Sequence, residues 1–398
     1  MSKSRPTVPF GPMGTEGGYL FLINSLGAGG AEHSLMELLG EARRRKIRTV
    51  VLIFDRDRVG FDDEARESGF DVRLIRSSTW VGRIREVRRT LLDWRPSLIY
   101  TTLFEADLVG RLSALGTGVC VVGGLVNTTY DPVRLGDTAV RKWRLHAVRF
   151  VDGWTARRLC THFHAISDAV KASAVSYLRI PPDRITVVRR GRNLSRLGEP
   201  SEIRWREVRR KENLPQDAFV FITVGRQEYQ KGHVVLIGAF AQLAASQPSA
   251  LLLIAGRDGH ASAQTKALID RLDLGDRVRL LGHRRDVAEL LAGSDVFVFP
   301  SLYEGLGGAA IEAMALGLPM IVSDLPALNE LIDEEGSVRV PPGNVLALAE
   351  AMRAMVSSDN RPRMGHHNRE RFLAHFQSTV ANRRLLDLLE TTARNYRT

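Results

Sequence analysis

Short apolar runs alternate with helix-forming stretches along the whole 398-residue chain, and no other feature constrains the fold as strongly. In the first half the runs fall at 19–24, 49–54, 72–75, 98–101, 119–122, 162–166 and 184–188. In the second they fall at 219–224, 251–255, 278–281, 296–299, 320–322 and 338–340. Repeated strand-helix alternation implies a parallel sheet with crossover helices on both faces. The expected fold is therefore α/β, with two Rossmann-like, doubly wound parallel-sheet domains. In open sheets of this kind ligands bind beyond the carboxyl ends of the strands, so two facing domains enclose one cleft. The polar stretch 193–201, with Gly198 and Pro200, is the expected linker. It divides a first domain at 19–196 from a second at 197–376, and residues 1–18 are expected to be a disordered tail.

Composition bounds the function. Apolar residues make up 44% of the chain, enough for full cores. The two cysteines, Cys120 and Cys160, lie far apart in apolar or helical contexts, which points to neither a disulfide framework nor a zinc spacing. A reducing, cytoplasmic setting fits best. Residues 1–18 lack the apolar core of a secretory signal, and the longest uncharged run, 112–130, is broken by glycines and reads as helix end, strand and loop. No membrane span is expected. The net charge of +11 is uneven: residues 1–198 hold 32 Lys and Arg against 20 Asp and Glu, and the remainder 24 against 25. No stacking aromatics interleave the basic residues, so nucleic acid is not the expected partner. An anionic acceptor, or peripheral contact with an anionic membrane, suits the excess better. The best single cluster is Arg83, Arg85, Arg88 and Arg89 on a helix at 81–94, around an apolar stripe of Ile84, Val87, Leu91 and Leu92. The same pattern also describes an ordinary amphipathic helix with a solvated face.

The stretch 300–319, PSLYEGLGGAAIEAMALGLP, carries the chemistry. Glu304 sits in a loop after a strand, and Glu312 one turn inside the following helix. Between them, amides at Gly305, Leu306, Gly307 and Gly308 would point out of a helix N-terminus, where the dipole favours an anion and glycines permit close approach. Carboxylates on both sides of an anion-binding turn suit a ligand with hydroxyl groups on both sides of its phosphates, as in a nucleotide sugar. Two more turns follow strands. Gly225-Arg226-Gln227-Glu228-Tyr229-Gln230-Lys231-Gly232 places two cations between a strand end and a helix start, and Gly27-Ala28-Gly29-Gly30-Ala31-Glu32 opens the helix after the first strand.

Together these elements resemble the retaining GT-B glycosyltransferases of glycosyltransferase family 4, over about residues 19–375. The resemblance implies a GT-B fold and transfer of a hexose-type sugar from a nucleotide diphosphate donor, UDP favoured and GDP possible, to a hydroxyl acceptor. That acceptor would be lipid-linked or anionic, in glycan, glycolipid or surface polysaccharide synthesis. It implies no cofactor and no metal, and a final helix within 377–398 that returns to the first domain. By resemblance Arg226 and Lys231 grip the diphosphate, Glu312 binds the ribose and Glu304 the transferred sugar. Gly29 and Gly30 face the β-phosphate, while Gly256 and His283 lie in loops around diphosphate and base. Many relatives carry a histidine near the sugar after the fifth strand. Here that loop has none, and Asn127 is its replacement, while Glu105 stands where related sequences often have histidine. Arg189-Arg190-Gly191-Arg192 replaces a frequent Pro-Asn-Gly, so Arg190 either meets an anionic acceptor or caps the hinge. His162 and His164 share one strand face and are expected to pack or hydrogen-bond rather than ligate a metal. A nucleotide-sugar epimerase or hydrolase, or a non-catalytic binding scaffold, are the alternatives on the same fold.

Overall fold

The computed structural model describes residues 17–27, 29–56 and 60–397. The tail expected at 1–18 lies, but for Gly17 and Gly18, outside the described residues, as does Ala28 of the first glycine turn.

Strands form where the apolar runs predict them. The first sheet contains β1 (Tyr19–Ile23), β2 (Thr49–Ile53), β3 (Asp71–Leu74), β4 (Leu98–Thr102), β5 (Cys120–Leu125), β6 (His162–Ala165) and β7 (Ile185–Val187). The second contains β8 (Phe219–Val224), β9 (Ala250–Ala255), β10 (Val278–Gly282), β11 (Val296–Phe299), β12 (Met320–Ser323) and β13 (Ser337–Val340). Their orders are β3-β2-β1-β4-β5-β6-β7 and β10-β9-β8-β11-β12-β13, and every pairing is parallel. Central strands such as β1, β4 and β9 are buried throughout, because helices cover both faces. The direction of winding reverses between β1 and β4 and again between β8 and β11. The crevices at those two switch points receive the ends of β1, β8 and β11, the strands that carry the motifs.

β5 runs further than the apolar run 119–122 predicts. It continues through Gly123 and Gly124, where the Tyr100 side chain fills the space so that a Cβ on Gly124 would lie 2.6 Å from its hydroxyl. His162 and His164 are spent on hydrogen bonds: His162 Nε2 meets Thr186 Oγ1 at 2.8 Å. His164 Nε2 donates to the Val188 carbonyl at 2.8 Å, which leaves Nδ1 to accept from Tyr100. Burial lowers the His164 ring to about 4, so it is neutral.

The chain crosses between the sheets twice at one place. Arg192 donates its backbone N–H to the Phe376 carbonyl at 2.8 Å, and Ser378 returns the bond to the Arg192 carbonyl at 3.1 Å. Beyond this paired crossing the helix Ser378–Arg397 lays Leu385, Leu386, Leu389 and Ala393 into the same apolar cluster as Phe21, Leu38 and Val122 of the first domain. Polar contacts hold the domains together elsewhere. Ser167 Oγ donates to the Gly305 carbonyl at 2.5 Å, and the Glu330 carboxylate accepts the N–H groups of Asp168 and Ala169 at 3.0 and 2.7 Å.

Candidate active site

A cleft of about 890 Å³ lies between the two sheets. The ends of β8 and β11 form one wall. After β8, Arg226 points into the cleft and a single 3-10 turn, Tyr229–Lys231, brings Lys231 round to face it. After β11, the loop delivers Glu304, and the helix Gly308–Ala315 starts from Gly307, whose φ of +93° only glycine adopts without strain. Glu312 follows on that helix and faces the cleft. Gly256 and His283, at the ends of β9 and β10, complete this wall. His283 Nε2 is buried and has no hydrogen-bond partner among the described residues.

Charges on this wall are already paired. The Lys231 ammonium contacts Glu304, sits 4.9 Å above the Phe299 ring, and leaves Glu304 a second bond, from Ser301 Oγ at 3.1 Å. Glu304 is buried. Gly305 does not line the cleft. It is packed so closely on the first domain that a Cβ would stand 2.5 Å from the Val126 carbonyl oxygen, and its own carbonyl takes the Ser167 hydroxyl. Leu306, Gly307 and Gly308 do line it.

The first domain supplies the opposite wall. Gly29 and Gly30 open the helix Gly30–Arg44 there, with Glu32 folded back over Gly29 in its first turn. Burial raises the Glu32 carboxyl above its ordinary value, against its own backbone N–H and the cations Arg190, Arg226 and Arg257. His33 beside it is pushed down to about 3 by burial and by Arg192, Arg196 and Arg190, so it is neutral. Arg190 lines the cleft, and desolvation lowers it to about 10, still charged at neutral pH. Asn127 lines the cleft as well, its Oδ1 taken by the Thr128 N–H at 2.9 Å.

Glu105 lies elsewhere. It starts the helix after β4, is absent from the cleft lining, and is occupied by Arg83 and by Asn24 Nδ2 at 3.3 Å. The arginine cluster expected on the helix now bounded as Trp80–Trp94 is not a shared exposed patch either. Arg83 is pulled inward by Glu105 and the Phe54 ring, Arg88 donates to the carbonyls of Ser113 and Leu115, and Arg89 lies 3.6 Å from Asp93. Arg83 is thus paired with a carboxylate and Arg88 is turned toward carbonyls, while Arg85 and Arg89 stay exposed.

Sequence reasoning passed over Arg192. Its buried guanidinium reaches from the hinge across to the second domain, where Nε donates to Glu312 Oε1 at 2.7 Å. It also fills the space beside Gly308: a Cβ there would collide with Arg192 Nη2. The glycine at 308 and the cation at 192 thus fit one another. The signal was present in Arg189-Arg190-Gly191-Arg192, but only the fold brings it to Glu312.

Two family models tile the chain: Glycosyltransferase Family 4 over residues 28–196 and Glycosyl transferases group 1 over residues 205–371. Among curated proteins the chain is 40% identical over 126 residues to an uncharacterised glycosyltransferase of Methanocaldococcus jannaschii, 32% of this chain and 29% of that protein. It is 30% identical over 244 residues to the UDP-Gal:alpha-D-GlcNAc-diphosphoundecaprenol alpha-1,3-galactosyltransferase of Escherichia coli, 60% of each. These two alignments thus span less than two thirds of either relative. Among solved structures, HepE of Anabaena in complex with UDP and glucose superposes with a TM-score of 0.83 at 20% identity, covering 94% of this chain and all of that one. The fold is GT-B, and the chain belongs to the group 1, family 4 glycosyltransferases.

Proposed function

We propose that the chain transfers a hexose-type sugar from a nucleotide diphosphate sugar, UDP in preference to GDP, to a hydroxyl of a lipid-linked or anionic glycan acceptor. Transfer retains the anomeric configuration and needs no metal. The observation that carries this reading is the convergence in one cleft of Arg226, Lys231, Glu304 and Glu312 with glycine-led helix starts from both domains. The UDP named for both the Anabaena structure and the Escherichia coli relative supports the choice of base.

A diphosphate within reach of Arg226 and Lys231 competes with Glu304 for the ammonium. The carboxylate released from that pair can accept a hydroxyl of the sugar, while Glu312 accepts from the ribose. As the bond from the anomeric carbon to the β-phosphate oxygen breaks, its electron pair passes to the phosphate, where Arg226, Lys231 and the amides of Gly29 and Gly30 oppose the new charge. The acceptor oxygen bonds to the same face of the anomeric carbon, and its proton goes to the leaving phosphate oxygen. Asn127 and Arg190 face the sugar and acceptor side.

The test is release of nucleoside diphosphate from a panel of UDP- and GDP-sugars, with and without hydroxyl acceptors and with EDTA. Acceptor-dependent release that persists under chelation is expected. Free sugar or an epimer formed without acceptor, binding without turnover, or loss under EDTA restored by manganese would each overturn the corresponding part of the reading.

A further inference from the structure

The helix Lys142–Leu159 exposes the face that soluble helices bury. Asp152, Gly153, Thr155 and Ala156 point inward, and Asp152 is held there by Arg111 at 2.6 Å and the Tyr130 hydroxyl at 2.7 Å. Outward, at helical spacing, stand Trp143, Ala147, Phe150, Val151 and Trp154, with the three aromatics exposed by 66%, 72% and 48%. Nothing among the described residues covers them. Lys142 lies to one side of this stripe, and Arg144 and Arg158 line its other edge, all three exposed. Asp152, buried and paired, is the only acid from 141 to 158, so the outward face carries cations alone.

We propose that this face docks on an anionic lipid membrane. Tryptophan and phenylalanine seat at the headgroup level, and flanking Lys and Arg meet anionic headgroups, the arrangement of a helix lying in the plane of the interface. A second copy of the chain is the poorer occupant, since it would set like charges against each other. The turn Pro132–Gly136, which leads into the helix, exposes Val133 and Leu135 and packs Gly136 on the Tyr229 side chain, next to Lys231. Two further exposed apolar side chains thus stand between the helix and the turn Tyr229–Lys231 that borders the cleft. Entry of a lipid-linked acceptor at that border rests on the sugar-transfer reading, whereas the docking does not.

The experiment is co-sedimentation of the full chain with phosphatidylglycerol–phosphatidylcholine vesicles and with phosphatidylcholine alone, in the absence of donor and acceptor. Failure there leaves the sugar-transfer reading untouched. Binding at least tenfold stronger to the anionic vesicles is expected, falling with salt. Changing Lys142, Arg144 and Arg158 to Gln should weaken it on the order of 100-fold, at roughly 5-fold per cation. A Trp143→Ser, Phe150→Ser, Trp154→Ser variant, checked for fold by circular dichroism, should lose it. Arg85→Gln with Arg89→Gln on the Trp80–Trp94 helix should not change it. No binding to anionic vesicles, equal binding to both kinds, or unchanged binding by the serine variant overturns the proposal. So does a wild-type dimer that the serine variant splits, which would assign the face to a second copy.

Discussion

Arg192→Met tests whether the hinge arginine belongs to the donor site. The Arg192 side chain is 3% exposed, Glu312 is 18% exposed, and they meet at 2.7 Å. Methionine keeps much of the volume and removes the donors. A hydrogen bond to a charged group contributes about 1.5–3 kcal/mol net, and stripping one member from a fully buried pair costs about 3–5 kcal/mol. Glu312 opens to the cleft and can be hydrated once abandoned, so the stability cost should be about 2 kcal/mol. Nucleotide affinity should fall as well, because the carboxylate then has no fixed orientation; about tenfold, or 1.4 kcal/mol, is expected. The assay is a double-mutant cycle with Glu312→Gln, read by calorimetric titration of UDP and by urea unfolding. A coupling energy of about 1–2 kcal/mol in both readouts is expected. Additivity within about 0.5 kcal/mol in both would show that the two side chains act apart and would refute the assignment.

Replacing Arg226 or Lys231 with Ala should slow turnover by roughly 100-fold, the cost of one transition-state donor, and near-native turnover would take that residue out of the mechanism. Glu304→Gln should leave UDP affinity nearly unchanged and lower turnover, whereas Glu312→Gln should weaken UDP itself; equal losses of affinity would contradict the division of roles. His233 is buried with both ring nitrogens unpartnered among the described residues, and its value is lowered to about 4. Unfolded histidine protonates near 6.5, so between about 6.5 and 4 the unfolded chain binds the extra proton and stability drops as pH falls. His233→Leu should reduce that slope by about 1.4 kcal/mol per pH unit relative to wild type. Unfolding followed at Trp205, the one tryptophan beyond residue 197, measures it in the second domain, and an unchanged slope would mean His233 is not held neutral.

Strands were legible because burial on both faces leaves an apolar run that survives any packing detail; Phe219–Val224 and Val296–Phe299 stand where they were expected. β5 was cut short because Gly123 and Gly124 carry no apolar signal, although the close approach of Phe163 to the first and of Tyr100 to the second requires them. The cleft residues reached by a motif at a strand end, from Gly29 to Glu312, were legible for the same topological reason. Arg192 was not, because its partner lies 120 positions away and only the crossing of the chain aligns them. On the helix Trp80–Trp94, charge spacing does not reveal which arginines neighbouring carboxylates and carbonyls engage, as they do Arg83 and Arg88. Trp143, Phe150 and Trp154 escaped notice for the opposite reason, since aromatics at helical spacing ordinarily mark a core.

The return of the helix Ser378–Arg397 to the first sheet sets the order in which this protein can be completed during synthesis. β1 to β7 leave the ribosome long before Leu385, Leu386 and Leu389, the side chains that share a cluster with Phe21 and Leu38. Nascent domains usually fold as units, the N-terminal one first. Here that patch of the first sheet stays bare while all of the second domain is made, an interval of roughly ten seconds or more at about 5–20 residues per second. During that interval the chain is open to chaperones, to wrong partners and, if the outward face of Lys142–Leu159 is formed, to early capture on a lipid surface.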